Sequence, residues 1–265
     1  MSDNQIILTQ LSETGVFRLI LNRPDKRNAL SLEMLDAISD ALTQAEASEA
    51  RVIVISANGP VFSSGHDLRE LTTARANKDD GRDFFVMTMQ KCAQMMQQIV
   101  NHPLPVIAQI QGPASAAGCQ LVASCDLAVA STAANFATPG VNIGLFCSTP
   151  MVALSRNVAN KHTMEMLLTG EACSAEHATQ IGLINKAVPH AELENSVAEL
   201  TGKIVAKSKR TLKIGKQAYY KQSELPLAEA YEYCASVMVE NMLINDAKEG
   251  IGAFLEKREP TWSDS

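Results

Sequence analysis

PVIAQIQGPASAAGCQLVASCD, residues 105–126, reads as three successive pieces: a β-branched strand, a Gly-Pro turn, and a cluster of very small residues that opens a helix. Gly112, Ala114, Ser115, Ala116, Ala117 and Gly118 keep side chains off the backbone, so N–H groups at a helix N-terminus can approach a ligand oxygen. The same run also suits close packing of a buried helix on a sheet. Context elsewhere in the chain has to separate the two readings.

Working outward, the strand-turn-helix pattern recurs. Residues 6–11 and 16–21 alternate as strands around the hairpin turn Ser12-Glu13-Thr14-Gly15. Residues 22–28, NRPDKRN, are turn formers with three positive charges and read as a solvated loop. Ser31 is the N-cap of a helix over 31–47, in which Leu32, Leu35, Ile38 and Leu42 share one face. A strand over 51–57 leads into a second small-residue turn, FSSGHDL at 62–68. The most loop-like part of the first half is 77–81, and helical periodicity resumes over 83–100. After the central stretch, 126–130 reads as a strand. From about His190 strand signals fade, and helices are expected over 192–206, 208–220, 227–245 and 247–257, broken at Pro226 and Asp246. The class is α/β followed by an all-helical tail. The expected division is an α/β core over 1–195 and a helical oligomerisation region over 196–265.

Composition narrows the function. With 265 residues and 46% hydrophobic content the chain can bury a large core. A net charge of −6 argues against a nucleic-acid surface, and no apolar run approaches the roughly 20 residues that span a bilayer. The opening MSDNQ carries no positive targeting region, which gives the expectation of a cytoplasmic protein. Six cysteines form no CxxC pair and are read as reduced core residues. Five scattered histidines without HExxH spacing give the expectation of no metal site.

FSSGHDL and GPASAAGCQLVASCD (112–126) stand together as two strand ends, each offering a backbone N–H that can converge on one oxygen, as an oxyanion hole does. At this point the sequence resembles the crotonase (enoyl-CoA hydratase/isomerase) superfamily. NRPDKRNAL, PVIAQIQG, GCQLVASCDLAVAS, FATPGVNIGL, LLTGEACSAEHATQIGLINKAVP and FLEKREPTW extend the resemblance in order along nearly the whole chain. It implies a crotonase (ClpP-like) spiral of ββα units with a C-terminal helical region that packs homotrimers, or dimers of trimers. It implies an acyl-CoA thioester substrate, in fatty-acid or carboxylate metabolism, with coenzyme A entering as part of the substrate and no permanently bound cofactor. The resemblance places the thioester oxygen between the N–H groups of His66 and Ala117. Ser64, Gly65, Asp67, Leu68 and Gly118 would line the thioester region. Lys26, Ala29 and Lys257 would neighbour the rest of the coenzyme A.

One departure bears on mechanism. At the two positions where hydratases of this family carry water-activating glutamates, the chain has Gln120 and Gly140. A carboxamide holds a water without taking its proton, and glycine does neither. Asp126 is the only carboxylate between Phe84 and Glu165, and it matches a bracing position. The substitute bases on offer are the His66 side chain, Glu70, Asp79, Asp80, Asp83 and the Cys147 thiol. The reading is therefore an acyl-CoA enzyme with weak or absent hydration, such as an isomerase, thioester hydrolase or decarboxylase. A non-catalytic acyl-CoA binder is the alternative, and a serine hydrolase using Ser64 or Ser115 with His66 the more distant one, since neither serine sits in a G-x-S-x-G elbow.

Overall fold

A computed structural model describes residues 5–264. The chain opens with a hairpin, β1 (Ile7–Leu11) and β2 (Val16–Leu21), closed by Gly15 at φ +84. It continues through α1 (Leu32–Glu46), β3 (Val52–Ala57), α2 (Leu68–Ala74) and α3 (Arg82–Asn101). Then come β4 (Val106–Ile110), β5 (Ala114–Ser115), α4 (Ala117–Ser124), β6 (Leu127–Ser131) and β7 (Asn135–Ala137). After a 3-10 turn over Pro139–Ile143 follow α5 (Ser148–Leu154), α6 (Asn160–Thr169), β8 (Cys173–Ser174), α7 (Ala175–Gln180) and β9 (Lys186–Val188). Four helices end the chain: α8 (Leu193–Val205), α9 (Lys209–Gln222), α10 (Leu227–Leu243) and α11 (Asn245–Glu256).

Helical crossovers return each strand in the same direction, so beyond the opening hairpin the large sheet, ordered β1-β2-β3-β4-β6-β9, is parallel. Parallel strands are covered on both faces, and β3 shows it. Val52, Ile53, Val54 and Ile55 are all fully buried; Ile53 and Ile55 face the main core with Leu35, Ile38 and Met95. Val54 faces the other way, against Val129, Val188, Leu193 and Val197. The helix α8 therefore covers the second face of the sheet, and the expected 195/196 boundary falls inside it.

A second, smaller layer runs alongside. The strands β5, β7 and β8 form a three-stranded sheet, which two isolated bridges, Leu30 to His66 and Ser63 to Ala114, extend. Each turn of chain thus gives one segment to each layer before its helix. This is the expected ββα spiral.

Two local expectations are corrected. Residues 22–28 are not simply a solvated loop: Asn28 is fully buried at φ +48. Its Nδ2 donates to the Asn58 and Val61 carbonyls at 2.9 and 2.8 Å, and its Oδ1 accepts from Arg23 N at 2.8 Å. The break before the last helix lies at Ile244, in extended backbone, rather than at Asp246. Asp246 is buried in the first turn of α11 and accepts from Ser208 Oγ at 2.5 Å and Ser263 N at 2.8 Å.

Candidate active site

The α4 N-terminus is built on one unfavourable residue. Ala116 sits at φ 50, ψ −118, a conformation costing a non-glycine residue on the order of 1–3 kcal/mol. Hydrogen bonds on either side hold it there: Ser115 N donates to Ser63 O at 2.9 Å and Ala116 N to Ala137 O at 2.8 Å. The chain therefore turns from strand into helix within one residue. Ala117 follows as the first residue of α4, where N–H groups lack helical partners.

The second loop reaches the same place. Gly65, at φ +87, accepts from Leu30 N at 2.8 Å through its carbonyl and donates its own N–H to Ser63 Oγ at 3.3 Å. A Cβ on Gly65 would stand 2.9 Å from Ala116 Cβ and 3.2 Å from Ala117 N. A Cβ on Gly118 would stand 2.4 Å from Ser63 O, so only glycine lets the helix seat this closely. His66 thus follows directly on a residue that abuts the Ala117 amide. Among the described residues, neither the His66 nor the Ala117 N–H donates to a protein acceptor.

Two buried side-chain atoms join them. His66 Nδ1 lies 3.4 Å from the Leu30 carbonyl, which can only accept, so the ring proton sits on Nδ1 and Nε2 keeps a bare lone pair. Nε2 is buried with no hydrogen-bond partner among the described residues. Burial lowers the His66 pKa, partly offset by the Leu30 contact, and the ring is neutral at physiological pH. Gln120, one turn beyond Ala117, is 4% exposed, and its Oε1 likewise has no partner among the described residues.

Gly140 lies buried in the turn over Pro139–Ile143. A Cβ there would meet Leu145 O at 2.8 Å and Cys147 Sγ at 2.9 Å. The thiol therefore crowds any side chain built at position 140. Burial pushes the Cys147 pKa up, against the pull of a hydrogen bond from Gly140 N–H, so it occupies space as a neutral thiol. Gly140→Glu is accordingly expected to be less stable by about 1–3 kcal/mol and to gain no crotonyl-CoA hydration. Thermal melting and a hydration assay check this; a stable, hydrating variant would show that the turn gives way.

Of the other candidate bases, Glu70 and Asp79 are committed elsewhere. Glu70 Oε2 accepts from Leu32 N at 3.1 Å, capping α1. Asp67 caps α2 through Arg69 N at 2.8 Å, and Asp79 accepts from Asp83 N at 2.7 Å, which holds its carboxyl below the usual range. Asp80 and Asp83 are exposed. No serine hydroxyl among the described residues bonds the His66 ring, which removes the support for a Ser64 or Ser115 hydrolase. Ser64 N donates to Arg27 O at 3.0 Å, bringing the segment with Lys26 and Ala29 alongside the His66 loop; Leu68, at the start of α2, is exposed. Lys257 is exposed at the end of α11, which packs on α9 and α10, and among the described residues no hydrogen bond or ion pair ties it to either loop. Asn28 and Ser63 shape the site without having been singled out in the sequence for that role, and Ala116 was named there only as one of a small-residue run. The structure also assembles one group that spacing did not suggest, His162, Glu165 and His177, with ligand atoms within 4.8 Å of one another.

Comparison with known proteins agrees with this fold. The family model described as enoyl-CoA hydratase/isomerase matches residues 12–265. The human enoyl-CoA hydratase domain-containing protein 3, mitochondrial, is 51% identical over 94% of this chain and 81% of its own. The crystal structure of that human protein superposes with a TM-score of 0.92 at 47% identity, covering 97% of this chain and all of the other. That of an enoyl-CoA hydratase from Mycobacterium smegmatis gives 0.93 at 44% identity, covering 98% and 99%. The human relative and its rat and mouse counterparts are named mitochondrial, which overturns the expectation of a cytoplasmic location. With the spiral, the paired loops and these matches in hand, the chain belongs to the enoyl-CoA hydratase/isomerase family of the crotonase superfamily.

Proposed function

We propose that the protein binds an acyl-CoA thioester with its carbonyl oxygen between the N–H groups of His66 and Ala117, and stabilises the enolate formed there. The observation that carries this reading is that the His66 and Ala117 N–H groups, on loops that abut at Gly65, donate to no acceptor among the described residues. His66 Nε2 is the base: it takes the proton from the carbon next to the thioester, and the electron pair moves onto the carbonyl oxygen. Return of the proton at the same carbon exchanges it, and return further along the acyl chain isomerises a double bond. Gln120 holds a water or a polar acyl group without deprotonating it, so hydration is weak or absent. Lys26, Ala29 and Lys257 are the proposed contacts to the rest of the coenzyme A.

Deuterium exchange into an acyl-CoA in heavy water, read by mass spectrometry, tests the reading. His66→Ala keeps the amide and removes the imidazole, so binding should survive while exchange falls about 10²–10⁴-fold. Exchange by the parent should hold through neutral pH and fade only below the ordinary histidine range, since the neutral ring is the active form and burial lowers its pKa. Binding without exchange would favour a non-catalytic acyl-CoA binder, and no binding would overturn both.

The proposed assembly is a homotrimer or a dimer of trimers. Leu227, Tyr231, Phe254 and Leu255 on α10 and α11 are 73–82% exposed, more apolar surface than one helical tail hides. Light scattering reads the mass, and a clean monomer would refute the assembly.

A further inference from the structure

The group on α6 and α7 lies outside the acyl-CoA site and has the chemistry of a metal site. His162 and Glu165 are one turn apart on α6, with His162 Nδ1 3.9 Å from Glu165 Oε2. His177, from α7, approaches His162 edge to face, with ring centroids 5.6 Å apart. One ligand atom from each of the three lies within 4.8 Å of the others. We infer that His162, Glu165 and His177 bind a divalent transition-metal ion of the zinc type, bridging α6 to α7.

Two imidazoles and one carboxylate are ligands suited to zinc and its neighbours, and poor ones for magnesium. Tetrahedral zinc with bonds of about 2.0–2.2 Å sets its ligand atoms roughly 3.3 Å apart. Rotation of these half-exposed to exposed side chains closes the remaining gap, since the side chains of His162 and Glu165 are 44% and 68% exposed. A further feature favours a ligand over a bare ion pair. His177 Nδ1 stands 3.4 Å from Gln180 Oε1, which accepts its proton and leaves Nε2 as the free lone pair. An outer partner of this kind orients a ligating histidine.

The position gives the ion a structural task. The helix α6 leans on the turn that carries Gly140: Thr138 Oγ1 donates to Met166 O at 2.8 Å, and a Cβ on Gly170 would lie 3.1 Å from Pro139 Cα. The helix α7 follows β8, which pairs with β7 just before that turn. An ion joining the two helices braces the wall behind Gly140. This inference does not depend on the acyl-CoA reading.

Titration of the reduced, full-length protein with zinc, read by calorimetry and by metal quantification after dialysis, tests it. One ion per chain is expected beyond what His162→Ala/His177→Ala retains, which corrects for the free cysteines. Either single variant should bind at least tenfold more weakly, and Gln180→Ala about tenfold, while His190→Ala, an exposed histidine elsewhere, should match the parent. Zinc should raise the melting temperature of the parent and not of the double variant, and magnesium should not compete. Equal zinc binding by parent and double variant, or a stabilisation that the double variant shares, would overturn the site.

Discussion

Ala117→Pro is expected to fold and to lose about 10²–10³-fold in turnover on any acyl-CoA substrate, the effect of removing one donor from an oxyanion hole. The reasoning rests on where the lost hydrogen was directed. In the middle of a helix proline removes an intrahelical hydrogen bond, but Ala117 is the first residue of α4, where proline is well accepted. Its N–H donates to no protein acceptor among the described residues, so the substitution sacrifices no structural bond. The loss therefore falls on the bound thioester oxygen, and most heavily once that oxygen carries enolate charge. Turnover should drop with little change in KM, because the interaction strengthens in the transition state. Ala117→Gly keeps the amide and should keep the rate. An Ala117→Pro variant with unchanged melting temperature and full rate would remove this amide from the mechanism.

The parts of this site that were legible in the sequence are those written locally. Strand periodicity, the Ser31 cap and the small-residue turns are properties of adjacent residues, and Ser31 Oγ does accept from Met34 N, at 3.2 Å. That the loops carrying His66 and Ala117 are strand ends opening into helices was likewise legible, because each carries its own motif. What was not legible depends on residues that meet only in three dimensions. Asn28 looks like a loop residue, and its burial follows from the Asn58 and Val61 carbonyls supplied 30 and 33 positions later. That position 140 is a glycine is plain in the sequence, but not that Cys147 lies beside it. Residues 162 and 177 share no helical spacing, and only the turn between α6 and α7 brings the two imidazoles together. Ala116 gives no sign of its positive φ, since alanine is ordinarily a helix former and the surrounding hydrogen bonds impose the strain.

Lys216→Met is expected to destabilise the fold by about 3–5 kcal/mol, the usual result of stranding one member of a buried ion pair. Lys216, from α9, reaches into the α/β layers with a side chain only 7% exposed, and its Nζ lies 2.7 Å from Asp126 Oδ2. The same ammonium donates to the Ile99 and Leu104 carbonyls, both at 3.0 Å, so its three hydrogens are all used. Asp126 also accepts from Val106 N at 2.6 Å and from Tyr220 OH at 2.9 Å. Burial, reinforced by the nearby Asp126 charge, pushes the Tyr220 pKa up, so the phenol remains a donor. Burial lowers the Lys216 pKa, and the carboxylate opposes that. Each charge is therefore tolerated because of the other. Removing the lysine alone should lower the melting temperature by roughly 6–20 °C for a chain of this size. Asp126→Asn/Lys216→Met, which removes both charges, should recover a large part of that loss, whereas independent contributions would simply add. Additive losses would reduce the pair to two unrelated hydrogen-bonding groups. Non-additive losses would make α9 part of the core's own stability, and a fragment ending at residue 195, which leaves Asp126 without Lys216 and Tyr220, should then fail to fold.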